Sequence, residues 1–63
     1  MTWTRIMIGN KPAYSGRANH DRYLVEHVSG MYQMNINGVT DGHRYPDAET
    51  ARRAAEVHAE RGK

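Results

Sequence analysis

Two alternating runs of residues joined by Ser29-Gly30 constrain the fold of this chain more than any other feature of it. If these two residues form a hairpin turn, the runs pair antiparallel, and side chains that stand opposite each other share a face of the sheet. One face then carries mostly aromatic and apolar side chains, namely Tyr23, Val25, His27, Tyr32, Met34 and Ile36. The other face is mixed and carries Leu24, Glu26, Val28, Met31, Gln33 and Asn35. A slip of one residue would scatter the apolar set, so the pattern predicts the register as well as the strands.

Weaker strand signals flank this hairpin. Residues 3–8 alternate and predict a first strand. Residues 9–22 are rich in turn formers and predict a long basic loop, in which residues 13–15 at most pair briefly at an edge. Asn37-Gly38 is a strong signal for a second hairpin turn. Residues 39–45 are then expected to return as a short edge strand that is irregular near Asp41-Gly42.

A helix is predicted after the strands. Asp47 is a good N-cap, residues 48–61 contain no helix breaker, and Gly62 is expected to end the helix. One face of this helix carries mostly alanine and consists of Ala48, Ala51, Ala54, Ala55 and His58. Such a face lets the helix lie close to a sheet whose larger side chains fill the core. We therefore predict an α+β fold, an antiparallel β-meander of three to four strands with one C-terminal α-helix packed across one face.

Length and composition limit what this fold can be. The 63 residues are expected to form one small domain, residues 1–63, in which a single core supplies roughly 3–5 kcal/mol. The chain contains no cysteine, so no disulfide adds to that stability. It has no apolar run of the ~20 residues that a membrane span needs, and its first residues do not form a signal peptide. We expect a complete, soluble, cytoplasmic protein.

The sequence contains no motif typical of catalysis or of metal binding. The four histidines, His20, His27, His43 and His58, lack the spacing of zinc ligands, although His27 and His58 both point toward the predicted core and are candidates to meet there. No nucleophile motif, phosphate loop or suggestive pair of carboxylates occurs. We predict that the protein is not an enzyme and that it holds no cofactor and no metal.

The side of the predicted sheet that faces away from the helix is a candidate protein interface. Leu24, Val28 and Met31 lie on it near the central turn, with neutral polar side chains behind them. An apolar patch with a polar rim is typical of protein interfaces. Trp3, Tyr14 and Met7 extend this patch if the first strand turns Trp3 and Met7 outward, and the alternative is that Trp3 covers an edge of the core.

Basic residues are concentrated toward the N-terminus. Residues 1–22 hold four basic side chains against one acidic side chain, although the net charge of the whole chain is only +2. Lys11, Arg17 and Arg22 are therefore predicted to steer an acidic partner toward the protein. The same residues leave open a nucleic-acid partner, which they would bind through its phosphates.

The predicted sheet with a helix behind it resembles the plant AP2-type and the integrase arm-type DNA-binding domains, which place a three-stranded sheet in a groove of DNA. That resemblance implies an open face that carries arginines. Here the expected face is mostly apolar or neutral, and Arg5 alone would join it. The sheet is therefore predicted to be a poor reader of duplex DNA.

The order of elements also resembles that of many small, uncharacterised proteins of phages and mobile elements. The features that carry the resemblance are the Gly-Met-Tyr-Gln-Met segment at residues 30–34, the Asn37-Gly38 turn, and the Tyr-Pro-Asp-Ala-Glu-Thr-Ala segment at residues 45–51 before an alanine-rich helix. It covers residues 3–58. Some such proteins are inhibitors of bacterial defence systems, including anti-CRISPR proteins, and others are DNA-binding accessory factors.

We predict a non-catalytic binding protein, encoded by a phage or mobile element, that occupies a surface of a host protein as an anti-defence or anti-CRISPR inhibitor does. If a phage encodes it, the compartment is the cytoplasm of the host cell. The alternative is a small nucleic-acid-binding accessory factor that uses the basic N-terminal loop. The predicted partner-binding residues are Trp3, Lys11, Tyr14, Arg17, Arg22, Leu24, Val28 and Met31.

A homodimer is a further alternative, because the predicted core is thin and one face of the sheet has nothing to cover it. Pairing through that face would bury Leu24, Val28 and Met31 and would add stability that depends on concentration. Glu26 opposes this arrangement, since two copies of it near a dimer axis repel each other.

Overall fold

The computed structural model describes residues 1–61, which form an antiparallel sheet and one helix. The strands are β1 (Trp3–Ile8), β2 (Lys11–Ala18), β3 (Asp21–Val28), β4 (Met31–Ile36) and β5 (Val39–Tyr45), and the helix α1 spans Ala48–Arg61. The strands lie in the sheet in the order in which they occur along the chain. No helix within the described residues is long and apolar enough to cross a membrane.

Each hairpin closes with a turn of two residues. In three of them both residues have positive φ, as a type I′ turn requires, and these are Asn19-His20, Ser29-Gly30 and Asn37-Gly38. In the Gly9-Asn10 turn only Gly9 has a positive φ, of 64°, which is the pattern of a type II′ turn. Both types match the right-handed twist of the flanking strands, so the meander forms without longer connections.

The register predicted for the central hairpin is confirmed, from Val28 opposite Met31 to Tyr23 opposite Ile36. The expected count of three to four strands is wrong, because most of the predicted loop at residues 9–22 is the eight-residue strand β2. Gly16 shows the reason. A Cβ built on Gly16 would stand 3.0 Å from a ring atom of Trp3, so this glycine marks close packing between β1 and β2 and not a break in the chain.

The core lies between α1 and strands β3, β4 and β5. The sheet contributes Tyr23, Val25 and Met34, and the helix contributes Ala51, Ala55 and Ala59. These alanines are spaced by four residues and form one row along the helix. The prediction of an alanine face is thus confirmed for Ala51 and Ala55. His58 is exposed, and Ala59 lies in the core in its place.

Both ends of α1 are tied to polar side chains. The Asp47 carboxylate accepts a hydrogen bond from the Thr50 backbone N–H at 2.7 Å, which confirms the predicted N-cap and lowers the pKa of Asp47. Near the other end, the Asn19 side-chain amide donates a hydrogen bond to the carbonyl of Ala59, and so ties the β2–β3 turn to the helix. The predicted stop at Gly62 lies outside the described residues.

Strand β5 is irregular where the sequence indicates. Arg44 is opposite Gln33 and Thr40 is opposite Asn35, so extra residues bulge out of β5 between these pairs. The bulge contains Asp41, whose carboxylate accepts hydrogen bonds from the backbone N–H of His43 at 2.9 Å and from the Tyr45 hydroxyl at 2.6 Å. The edge of the sheet at β5 is therefore neither flat nor regular.

Two methionines of β4 provide a matched test of this architecture. Met34 is 3% exposed in the core and Met31 is 39% exposed on the other side of the sheet. We expect Met34→Ala to lower the free energy of unfolding by about 2–5 kcal/mol, which is comparable to the roughly 3–5 kcal/mol that so small a core supplies. Met31→Ala, the control, is expected to lower it by about 1 kcal/mol at most. Urea denaturation followed by circular dichroism measures both, and equal losses would contradict the assignment of faces.

Candidate binding face

The sheet has one face that α1 does not cover, which we call the open face. The strand registers place two rows of side chains across its middle. One row contains Ile6, Ala13, Glu26, Gln33 and Arg44. The other contains Thr4, Ser15, Leu24, Asn35 and Thr40. Lys11, Ile8, Val28 and Met31 lie beyond the first row, and Arg17 and Arg22 lie beyond the second.

Acidic side chains are concentrated on the helix side of the molecule, whereas basic side chains lie on both sides. The open face carries four basic side chains and one acidic one, namely Lys11, Arg17, Arg22, Arg44 and Glu26. The other acidic residues of the chain lie on the helix, in the segment before it, or on strand positions that face it, and they are Asp21, Asp41, Asp47, Glu49, Glu56 and Glu60. The open face therefore attracts anionic partners more strongly than the net charge of +2 indicates.

This distribution corrects the expectation that Arg5 alone would bring positive charge to the open face. Arg5 is opposite Tyr14 and lies on the helix side of the sheet. Lys11 and Arg17 are in β2 and Arg22 is in β3, so they belong to the sheet and not to a loop. The sequence signal for their common face is the alternation of residues 11, 13, 15 and 17 along a strand. The turn formers Pro12 and Gly16 between these residues obscured it.

Arg17 and Arg22 stand directly opposite each other on β2 and β3. They line a groove of about 340 Å³ together with Thr2, Thr4, Ser15 and Gly16. Neither arginine forms an ion pair with a carboxylate among the described residues, where the ion pair found joins Arg53 to Glu49 on the helix. Like charges directly opposite each other in a sheet repel, so this pair is expected to be unfavourable for the stability of the isolated protein.

Glu26 is held at the centre of the open face by two amides. Its Oε1 atom accepts hydrogen bonds from Gln33 Nε2 at 3.4 Å and from Asn35 Nδ2 at 3.3 Å. Gln33 Nε2 also donates to Asn35 Oδ1 at 3.2 Å. The middle of the face is thus a half-buried polar cluster that fixes its own side chains, with the basic residues around it.

Apolar side chains collect at one end of the open face, beside the turns at residues 9–10 and 29–30. Val28 and Met31 lie there as predicted, and Leu24 lies on the same face but in the row next to Arg17 and Arg22. Ile6 and Ile8 join them and are 36% and 44% exposed. Neither isoleucine was predicted to lie here, because only the pairing of β1 with β2 shows which side of β1 faces away from the helix.

Trp3 and Tyr14 do not extend this patch, which corrects the expectation that they would. Both lie on the helix side, as does Met7, and there Trp3 Nε1 donates a hydrogen bond to Glu56 Oε2 at 3.1 Å. The Arg52 guanidinium lies over the Tyr14 ring, 4.5 Å from its centroid. Trp3 therefore covers an edge of the core, the alternative that the sequence left open. All five aromatic residues are on this side of the sheet, since Tyr23, Tyr32 and Tyr45 also pack against the core.

The histidines that were candidates to meet contact two different tyrosines. The Tyr23 hydroxyl and His58 Nδ1 are 3.0 Å apart. His27 meets Tyr32 edge to face, with ring centroids 5.1 Å apart. Within residues 1–61, no group of three or more histidine or acidic side chains is placed to hold a metal ion. These contacts join strands to each other and to the helix, and we assign them to the fold.

The chain gives no match in comparisons with protein-family models, with curated proteins or with solved structures.

The hydrogen bond between Asp41 and Tyr45 is expected to make the stability of the fold depend on pH. Burial, with the hydrogen bond to Asp41 and its negative charge, raises the pKa of Tyr45 from 10.0 to about 12. Because the pKa is higher in the folded state, the stabilisation is complete below pH 10 and is lost as the pH rises toward 12. We expect the urea midpoint to fall over this window and Tyr45→Phe to reduce that fall. A fall of the same size in both proteins would contradict the assignment.

Proposed function

We propose that this protein is a non-catalytic binding protein whose open face occupies an acidic surface of a host protein. The observation that carries the proposal is the placement of three exposed apolar side chains, Ile6, Ile8 and Met31, and of four basic side chains on the one face that the helix leaves uncovered. Origin from a phage or mobile element, and inhibition of a bacterial defence system, rest on the resemblance to small phage proteins.

The two kinds of side chain have different roles in such contact. Ile8, Val28 and Met31 stand at one end of the face, where their burial against a partner would supply most of the hydrophobic stabilisation. Arg17 and Arg22 stand toward the opposite end, and their charge would accelerate association and select acidic partners. The partner surface that fits is therefore apolar where it meets the central turn and acidic where it meets the arginines.

A matched pair of variants tests this docking mode. Tagged wild-type protein is used to capture partners from a lysate of a bacterial host, and mass spectrometry identifies any stoichiometric protein, whose affinity is then measured with the purified partner. Met31→Glu places a negative charge in the apolar part of the open face and is expected to weaken binding about tenfold or more. Val57→Glu adds the same charge on the helix at a side chain that is 41% exposed, and it is expected to leave binding unchanged.

Three outcomes would contradict the proposal. One is the recovery of no stoichiometric protein from any host tested. Another is a partner whose affinity falls as much with Val57→Glu as with Met31→Glu, which would place the contact away from the open face. The third is a loss of folding in Met31→Glu, which circular dichroism detects and which would mean that Met31 belongs to the core.

Duplex DNA is a second candidate partner, favoured by the basic side chains around the polar centre of the face. Lys11 and Arg17 lie six positions apart on β2, which separates them by about 20 Å at ~3.3 Å per residue. A sheet placed in a major groove about 12 Å wide would bring cations at this separation to the phosphates on both sides. The absence of aromatic side chains from the open face disfavours single strands, which bind by stacking of bases.

Salt dependence tests this second candidate. With four phosphate contacts, the logarithm of the affinity for a fluorescent duplex is expected to fall with a slope of about −4 against the logarithm of salt concentration. Arg17→Ala/Arg22→Ala is expected to reduce the size of the slope by about 2. The control, Arg53→Ala/Arg61→Ala, removes the same charge from the helix and is expected to change it little. No complex at micromolar protein and low salt would exclude duplex DNA as the partner.

A further inference from the structure

We propose that Arg17 and Arg22 form a binding site for a phosphate group, held between their guanidinium groups in the groove on the open face. The proposal deepens the proposed function, because it rests on the open face being the binding face and names the chemical group that its basic end recognises. It concerns the isolated protein and is tested without any macromolecular partner.

The backbone fixes the distance between the two arginines. They are direct partners in the β2–β3 register, and their Cβ atoms are therefore separated by the ~5 Å typical of such pairs. Both side chains leave the sheet on the same side and line one groove. Two guanidinium groups on adjacent strands can approach one tetrahedral anion from two sides, and guanidinium matches phosphate oxygens with paired N–H donors.

The surroundings of the pair supply donors and exclude competing carboxylates. Thr4 and Ser15 are opposite each other in the β1–β2 register and place two hydroxyl groups in the same groove. Asp21, the nearest carboxylate along the chain, is opposite Ala18 and so faces the other side of the sheet, where it accepts a hydrogen bond from Asn37 Nδ2 at 3.0 Å. No carboxylate lines the groove among the described residues.

This arrangement of two arginines is expected to be unfavourable without a ligand. Like charges directly opposite each other destabilise a sheet, and a chain with so small a core has little stability to lose. An anion between the two guanidinium groups converts their repulsion into two charge-assisted interactions. Positions that break a local rule of stability in this way are expected where the chain binds something.

The ligand is a phosphate group carried by a larger molecule or free in solution. The groove is open on the surface and holds about 340 Å³, so it accepts the phosphate while the remainder of the ligand extends over the open face. Two sources share this chemistry, a monoester or free phosphate and the diester of a nucleic-acid backbone. Inorganic phosphate and the dinucleotide thymidylyl-thymidine represent them as probes.

The test is a titration of the full chain, with chemical shifts of the backbone amides as the readout and with ionic strength held constant by sodium chloride. We expect residues 15–17 and 22–24 to shift with a dissociation constant on the order of millimolar for at least one probe. Arg17→Gln/Arg22→Gln is expected to weaken binding by about tenfold or more for each arginine. The control, Lys11→Gln/Arg44→Gln, removes the same charge from the same face outside the groove and is expected to weaken binding less than about threefold.

Stability provides a second readout that a merely charged surface would not give. Without phosphate, Arg17→Gln is expected to raise the thermal midpoint because it removes the repulsion, whereas Lys11→Gln is not. Saturating phosphate is expected to raise the midpoint of the wild type and not that of Arg17→Gln/Arg22→Gln.

Several results would overturn the proposal. Absence of specific shifts with both probes would do so, and so would equal weakening in the two double variants, which would show a diffuse effect of charge. Binding of either probe alone supports the site and identifies the source of the phosphate. A site that binds phosphate in a protein that captures neither a host protein nor DNA would leave this inference standing while the proposed function fails.

Discussion

Four two-residue turns determine which side chains reach which side of this sheet. A turn of fixed length fixes the register of the strands that it joins, and in a strand the register decides the face of every side chain. Because all four turns contain two residues, the alternation of side chains between the two faces continues from β1 to β4 without interruption. The placement of all five aromatic residues on the helix side and of four basic strand residues on the open face both follow from this constraint.

The helix adds to the difference between the two faces of the sheet, because it packs against only one of them. Ala51, Ala55 and Ala59 bring α1 close to the sheet, and the volume between them is filled by side chains of the strands. The aromatic residues are therefore needed on the helix side, and the open face carries aliphatic, polar and charged ones. A domain of this size cannot build a second core, so its uncovered face remains available for contact with other molecules.

Much of the fold was predictable from the sequence, and the exception has a physical reason. The central hairpin, the Asn37-Gly38 turn, the irregularity of β5 and the Asp47 cap each depend on local signals and were predicted. Strand β2 was not, since Gly16 lies in it for the close approach of Trp3, a contact between residues that the sequence does not show to be neighbours. The Gly and Pro residues of this segment give it the composition that is typical of a loop.

The candidate site was less predictable than the fold, because it depends on strand pairing. Lys11, Arg17 and Arg22 were identified as basic residues, but their common face requires β2 to be a strand. Ile6, Ile8 and Arg44 required the registers at the two edges of the sheet. For the same reason Tyr14 was expected on the wrong face, and the sequence left two placements open for Trp3.

The bulge in β5 has a consequence for how copies of this protein can assemble. A sheet grows by adding strands to an edge, and the two edges here differ. β1 is a regular strand with exposed Ile6, Met7 and Ile8, whereas β5 is distorted at Asp41 and cannot offer an unbroken ladder of backbone donors and acceptors. With one regular edge per molecule, edge-to-edge pairing through β1 would end after two copies, and the bulge in β5 disfavours the open-ended addition of strands that leads to fibrils.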